Sequence, residues 1–260
     1  REGTAINDYY NPPKIVIGAR DGSSNSKLLE IYDGIDAKLF TVGYRESELT
    51  KFLDNSFHAL KVSFGNEVGR ICNSIGVDTN QIMNIFLSDT KLNISTYYLR
   101  PGGAFGGSCL PKDVRALQFI SRSNGLSCEV IESIIKSNNS HKEFLLQRVI
   151  NRISVGGKLL VVGVSFKKNT DDLRESPQVD LIQQLIGRGY EVSIYDPDVY
   201  FEELMGENLA FSISHITHLK DRLISKDQLK NAEFDAIIYS KEIDLFADVK
   251  SKNIFRTDII

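Results

Sequence analysis

Residues Lys158 to Tyr195, KLLVVGVSFKKNTDDLRESPQVDLIQQLIGRGYEVSIY, decide the fold. Leu159-Leu160-Val161-Val162-Gly163 is a short β-branched run ending in glycine, which suits a buried strand. Pro177 to Ile186 then reads as a helix, capped by Ser176 and closed by Gly187 and Gly189. Glu191 to Tyr195 is a second strand, and Ala236 to Tyr239 and Ile254-Phe255 supply later ones. Strand and helix alternating in this way imply parallel β-α-β units, so a doubly wound α/β domain is expected from about residue 155 to the end.

Upstream the pattern differs. From Glu46 to Ile75 there is no proline, and Leu49, Phe52, Leu53, Phe57, Leu60, Phe64, Val68, Ile71 and Ile75 recur with a period near 3.6. That is one helix of about eight turns. A helix of this length commonly forms an interdomain spine or a dimer interface. Shorter helical patterns cover Asn80 to Leu87, Asp113 to Ser123, and Glu129 to Arg152 after the Asn124-Gly125 stop. Ahead of the spine, Lys14 to Ala19 and Lys38 to Val42 read as strands flanking a helical stretch with a polar turn at Asp21 to Ser26. Residue 1 is Arg, not Met, and the opening already reads as mid-domain sequence. The expected organisation is therefore the tail of an earlier α/β domain at 1–45, a central helical domain at 46–154, and the C-terminal α/β domain at 155–260, within a longer protein.

The composition narrows the function classes. Hydrophobic residues at 42% and charged residues at 25% are ordinary for a folded chain, which disfavours disorder. A net charge of −3 removes the broad basic footprint of a nonspecific nucleic-acid binder, while leaving room for a local phosphate pocket. No run approaches the roughly 18 consecutive apolar residues of a membrane helix. Cys72, Cys109 and Cys128 are odd in number and far apart, so no disulfide framework or zinc spacing follows and a reducing cytoplasm is the default setting.

The chemistry concentrates at Arg100-Pro-Gly-Gly-Ala-Phe-Gly-Gly-Ser-Cys-Leu-Pro-Lys-Asp113. Four glycines between Gly102 and Gly107 let backbone approach a ligand closely and turn N–H groups toward it. Pro111 fits the first turn of the helix that follows, which places Cys109 at or just before a helix N-terminus. There the helix dipole and the ammonium of Lys112 both favour thiolate over thiol, and Asp113 stands close enough to orient a water or accept a proton. Cys72, beside Ile71 on the long helix, and Cys128, which has no basic neighbour, read as packing residues. Lys51, Asn55 and His58 fall at i, i+4 and i+7 of the long helix, with Asn66 within about 60° of that stripe. Such a stripe is ordinarily a solvated face and becomes a site only if something faces it. His215 and His218 have ligand spacing without a third ligand, so no metal is expected. Lys167, Lys168 and Arg174 lie in the loop after Gly163, at the carboxyl edge where α/β sheets bind ligands. The loop is neither a dinucleotide fingerprint nor a Walker loop, so spacing leaves nucleotide binding and a plain structural loop both open.

Three strings, in this order, resemble the UDP-glucose/GDP-mannose dehydrogenase family: Leu49-Thr-Lys51-Phe-Leu-Asp-Asn55 with Asn66-Glu67; Phe105-Gly-Gly-Ser-Cys109-Leu-Pro-Lys-Asp113; and Phe166-Lys-Lys-Asn-Thr-Asp-Asp-Leu-Arg-Glu-Ser176. Arg1-Glu-Gly-Thr-Ala resembles the family segment that follows its first Rossmann sheet. His58 and Tyr97-Tyr98-Leu-Arg100-Pro101 make the chain most similar to the GDP-mannose branch. The resemblance implies the tail of one Rossmann-like domain, a central dimerisation domain and a second Rossmann-like domain. It implies an NAD-dependent, four-electron oxidation of a sugar C6 alcohol to a carboxylate. Cys109 would form a thiohemiacetal and then a thioester, Lys51 and Asn55 would stabilise the oxyanion, and Asp113 would help activate the hydrolytic water. Glu2, His58, Asn66, Tyr97, Tyr98, Gly103 and Lys167 would hold the nucleotide sugar, with Lys112 and Arg174 reaching the NAD. Arg100 would enter the neighbouring subunit's site, so a homodimer or a higher homo-oligomer built on the long helix is implied. The family's Gly-x-Gly-x-x-Gly domain would lie ahead of Arg1, and this stretch alone is not expected to turn over. A UDP-glucose or UDP-aminosugar dehydrogenase is the competing substrate assignment, and a noncatalytic dimerisation module the competing class.

Overall fold

The structure is a computed structural model that describes residues 5–20, 26–99, 101–166, 169–229, 232–240 and 249–257. It is α/β, as expected, with two parallel sheets. The chain forms two compact units, Arg1–Asn66 and Glu67–Ile260, divided inside the long helix.

In the first unit, α1 (Ala5–Tyr10) precedes β1 (Ile15–Ala19), α2 (Ser26–Ile31) and β2 (Leu39–Gly43). The two strands pair in parallel with Ile15 opposite Leu39, and Ile15 and Ile17 are buried. The α3 helix follows at once and runs from Tyr44 to Ser74, 31 residues without a break. Its sequence contains no proline and few β-branched residues, so nothing in it interrupts the hydrogen-bond ladder.

The second unit starts on the last turns of α3 and continues through α4 (Thr79–Ser88), α5 (Leu110–Ser123) and α6 (Glu129–Ile150). Asp78 caps α4 by accepting from the amides of Asn80 and Gln81 at 2.8 and 3.2 Å. Glu67, on α3, is 4% exposed and accepts from the amides of Val130 and Ile131 at 2.8 and 2.9 Å. A carboxylate thus satisfies the free amides at the start of α6, where the helix dipole favours negative charge. Ile71, Cys128 and Ile131 form a small core around this junction.

Then come β3 (Lys158–Val162), α7 (Pro177–Gly187), β4 (Glu191–Tyr195), a 3₁₀ turn at Phe201–Glu203, α8 (Gly206–His215), α9 (Leu219–Arg222), α10 (Lys226–Leu229), β5 (Glu233–Tyr239) and β6 (Lys250–Arg256). The four strands are parallel in the order β4-β3-β5-β6. Alternate strand residues face opposite sides. Leu159, Val161, Ile194 and Ile238 join the larger core with Val179, Ile182 and Leu185 of α7, while Leu160, Val162, Ile237 and Tyr239 meet Leu229 on the other side. The chain leaves β3 for β4 on one side and returns to β5 on the other, so the order reverses between β3 and β5. The crevice outside the carboxyl ends of those two strands is where open α/β sheets bind ligands.

Candidate functional site

The glycine-rich loop is held by contacts from α6 and from the segment just before α7. Asn138 of α6 accepts from the Phe105 amide and donates to the Phe105 carbonyl, both at 2.9 Å. The ring Nε2 of His141 lies 2.8 Å from the Gly102 carbonyl oxygen. The Gly107 amide donates to the Glu175 carbonyl at 3.2 Å. Gly107 has φ +85°, a left-handed conformation that suits glycine. Glu175 itself has φ +54°, and Arg115 of α5 holds its carboxylate with two guanidinium nitrogens.

The loop ends at Cys109, the N-cap of α5, whose thiol is free and exposed. Cys72 and Cys128 are free and buried, as packing residues should be. Lys112 and Asp113 occupy the first turn of α5, both well exposed, with Lys112 Nζ 3.7 Å from the Asp113 carboxylate.

Across the crevice, Asp196 after β4 is 4% exposed and accepts from the amides of Val164 and Ser165 at 2.8 and 3.0 Å. Ser176 caps α7, accepting from the Gln178 amide and donating to the Val164 carbonyl at 2.7 Å. A cavity of about 190 Å³ lies between these pieces, lined by Gly103 and Ala104 of the glycine-rich loop and by Ser165, Phe166, Gln178 and Ser240. Gln178 Nε2 donates to Thr257 Oγ1 at 3.0 Å, and that hydroxyl donates to the Tyr239 carbonyl. This direction leaves Gln178 Oε1 buried and without a hydrogen-bond partner among the described residues.

Arg174 is ion-paired within its own loop. Its Nε and Nη2 donate to the two Asp172 oxygens at 2.9 and 3.0 Å, and Nη1 reaches Glu207 at 3.4 Å. These contacts hold the Asp172 carboxyl below the usual carboxylate range. Arg174 therefore braces the loop, with its guanidinium still partly exposed.

In the first unit, Lys51, Asn55 and His58 line one groove of about 660 Å³ together with Asp8, Asn11, Lys14 and Asp54. The stripe read from helical spacing thus faces something. Asn66, farther along α3, does not line that groove. Tyr97 and Tyr98 are exposed and meet edge to face at 4.6 Å, with Tyr98 at φ +63°. Glu2, Arg100 and Lys167 lie outside the described residues. His215 stacks on Phe211 and His218 lies 3.9 Å from Asp221. Among the described residues no cluster of three potential ligands could hold a metal, and no helix is long and apolar enough to cross a membrane.

Asn138, His141, Glu175 and Asp196 were not signalled as site-forming by their sequence context. Each acts through a partner distant in sequence, and only the Glu-Ser-Pro before α7 marks a structured loop.

Comparison with known proteins assigns these parts. The central-domain model of the UDP-glucose/GDP-mannose dehydrogenase family matches residues 45–140, and that family's UDP binding domain matches residues 160–257. GDP-mannose 6-dehydrogenase of Pseudomonas aeruginosa is 39% identical over 252 residues, covering 97% of this chain and 57% of that protein. The Azotobacter vinelandii enzyme of the same name is 41% identical over 240 residues, covering 92% and 54%. A UDP-glucose 6-dehydrogenase of Bacillus subtilis is 34% identical over 199 residues, covering 76% and 45%. The crystal structure of a ternary complex of GDP-mannose dehydrogenase from Pseudomonas aeruginosa superposes with a TM-score of 0.85 at 37% identity, covering 98% of this chain and 60% of that one. The chain thus spans about half the length of the relatives it matches. In sequence and in fold alike, it belongs to the UDP-glucose/GDP-mannose dehydrogenase family.

Proposed function

We propose that this chain forms the central and C-terminal parts of an NAD-dependent GDP-mannose 6-dehydrogenase, which oxidises the C6 alcohol of GDP-mannose to the carboxylate of GDP-mannuronate, an alginate precursor. The observation that carries the reading is the exposed Cys109 thiol at the end of a glycine-rich loop pinned to a ligand-binding sheet edge. A division at 1–45, 46–154 and 155–260 fits the family matches, which begin at 45 and break between 140 and 160.

The chemistry follows from the residue types. The C6 alcohol first loses a hydride and its hydroxyl proton to give the aldehyde. Cys109 Sγ adds to the carbon of the C6 aldehyde and its electron pair makes the C–S bond, giving a thiohemiacetal. Lys51 and Asn55 stabilise the oxygen that gains negative charge, as donors placed where charge develops. The thiohemiacetal then loses a hydride from the same carbon and its hydroxyl proton to water, leaving a thioester. Water assisted by Asp113 opens it, releasing the carboxylate and regenerating the thiol. NAD, when bound, supplies the hydride acceptor for both oxidations. Of the two residues assigned to it, Lys112 is exposed with only a loose partner and fits a phosphate contact. Arg174, paired with Asp172 and Glu207 but partly exposed, is assigned to the NAD as well.

Gly103, lining the sheet-edge cavity, is assigned to the sugar nucleotide with Glu2, His58, Asn66, Tyr97, Tyr98 and Lys167. Arg100 is assigned to the neighbouring subunit's site. A homodimer through α3 is supported by its exposed apolar residues: Leu49, Phe52, Leu53, Phe57 and Leu60 are 40 to 64% exposed, an apolar stripe that a second copy would cover. Three free thiols suit a reducing cytoplasm.

The substrate assignment is tested by melting the protein in the presence of GDP or UDP. A ligand at 100 times its Kd adds about 2.7 kcal/mol to stability, or roughly 5–10 °C for a chain of this size. GDP should raise the melting temperature by that amount and UDP by much less. The reverse order would make this a UDP-sugar dehydrogenase.

A further inference from the structure

The groove on the first unit contains more charge than its candidate catalytic residues require. Lys14, just ahead of β1, places its ammonium 2.9 Å from Asp54 Oδ1 and 2.8 Å from Oδ2. Asp54 is the helical neighbour of Lys51, three residues along α3 on the groove side. Oppositely charged residues at that spacing ordinarily pair with each other, to the extent of a few tenths of a kcal/mol. Here they do not. Both oxygens of Asp54 are taken by a lysine forty residues away in sequence, and Lys51 makes no ion pair with any described residue.

We propose that Lys14 is a positioning residue that occupies Asp54 and so keeps the Lys51 ammonium free to meet an oxyanion in the groove. An ammonium held by a carboxylate has lost much of its field and at least one of its three donors. A lysine that must stabilise charge appearing during a reaction works best with no resident anion. Removing the acid from the groove would serve the same end. The structure instead neutralises it, and in doing so ties the start of β1 to the turn of α3 that carries Lys51 and Asn55. The inference rests on the role given to Lys51 above, and its test separates the two.

The test uses the full-length enzyme and three variants. Lys14→Met frees Asp54 to swing to Lys51. Lys14→Arg keeps a cation on Asp54, and Lys14→Met with Asp54→Asn removes the competing anion. With GDP-mannose and NAD, Lys14→Met should lower kcat about two- to fivefold, the span of one exposed ion pair, with little change in KM. Lys14→Arg should stay close to the parent, and the double variant should regain at least half of the loss. If Lys14 were only a structural tie, adding Asp54→Asn would recover nothing, and that result overturns the proposal. A second readout does not depend on turnover: the rate at which acetic anhydride acetylates Lys51, followed by peptide mass spectrometry. It should fall about two- to fivefold in Lys14→Met and recover in the double variant. Acetylation that follows this pattern while turnover stays flat in every variant upholds the charge partition and refutes the catalytic role of Lys51. Acetylation unchanged in Lys14→Met refutes the partition whatever turnover does.

Discussion

A full-length enzyme carrying Cys109→Ser is expected to form no GDP-mannuronate, with the rate of acid formation down by about three orders of magnitude or more. The first oxidation needs only a bound alcohol and a hydride acceptor. The second needs the aldehyde carbon to carry a nucleophile that can later leave. A serine hydroxyl is a far weaker nucleophile than a thiolate at neutral pH, and it occupies the same place with the same loop geometry. Since Cys109 is exposed and its side chain makes no cap bond to α5, the exchange should leave folding intact. Chromatographic analysis of the products checks the outcome. Undiminished acid formation by the serine enzyme would remove Cys109 from the chemistry.

The next largest effect is expected at the two glycines that seat the loop. A Cβ on Gly106 would stand 2.5 Å from Pro177 Cδ and closer still to the Glu175 carbonyl oxygen. A Cβ on Gly107 would stand 2.6 Å from the Phe166 ring, at a φ that L residues rarely adopt. The obstacles at Gly106 are backbone and a proline ring rather than the end of a flexible side chain, and at Gly107 the positive φ strains any L residue whatever the Phe166 ring does. Glu175 is fixed by Arg115, and Pro177 begins a capped helix. Either alanine should therefore cost about 1–3 kcal/mol through overpacking, lowering the melting temperature by roughly 2–10 °C. The loop must lift to relieve the clash, and a 1 Å displacement of a reacting group can cost about a hundredfold in rate. Gly107→Ala should thus reduce kcat about a hundredfold even below its melting point. Turnover within twofold of the parent would show that Cys109 does not depend on this docking.

The extent to which the sequence announced this arrangement varies with the range of the forces involved. The α3 helix was readable over Glu46 to Ile75 and runs from Tyr44 to Ser74, because a proline-free periodic stretch needs no distant partner to declare itself. The strand-helix-strand unit from Lys158 to Tyr195 likewise follows local pattern, with Ser176 and Pro177 marking the cap. Helices α8 to α10 were missed because they are short and their polar sequence gives a weak period; they are defined by packing of residues such as Ile216, Leu219 and Leu229.

The site divides the same way. Cys109 at a helix start follows from Pro111 and the glycines before it. The partners that fix its loop do not, since Asn138 lies 33 residues from Phe105 and Lys14 lies 40 from Asp54. Glu67 looks like one more solvated charge on a helix until α6 is brought against it. Asp172, by contrast, lies two residues from Arg174, so that pairing is within reach of local sequence.

The central claim is that the sugar carbon becomes bonded to one sulfur. Enzyme mixed with GDP-mannose and NAD, quenched in acid during turnover and digested, tests it by peptide mass; Asp113→Asn, run alongside, should slow hydrolysis and enrich the intermediate. The account predicts a peptide in which Cys109 alone carries the acylated nucleotide sugar. Steady formation of GDP-mannuronate with Cys109 unmodified in both enzymes, or the adduct on a different residue, would contradict it.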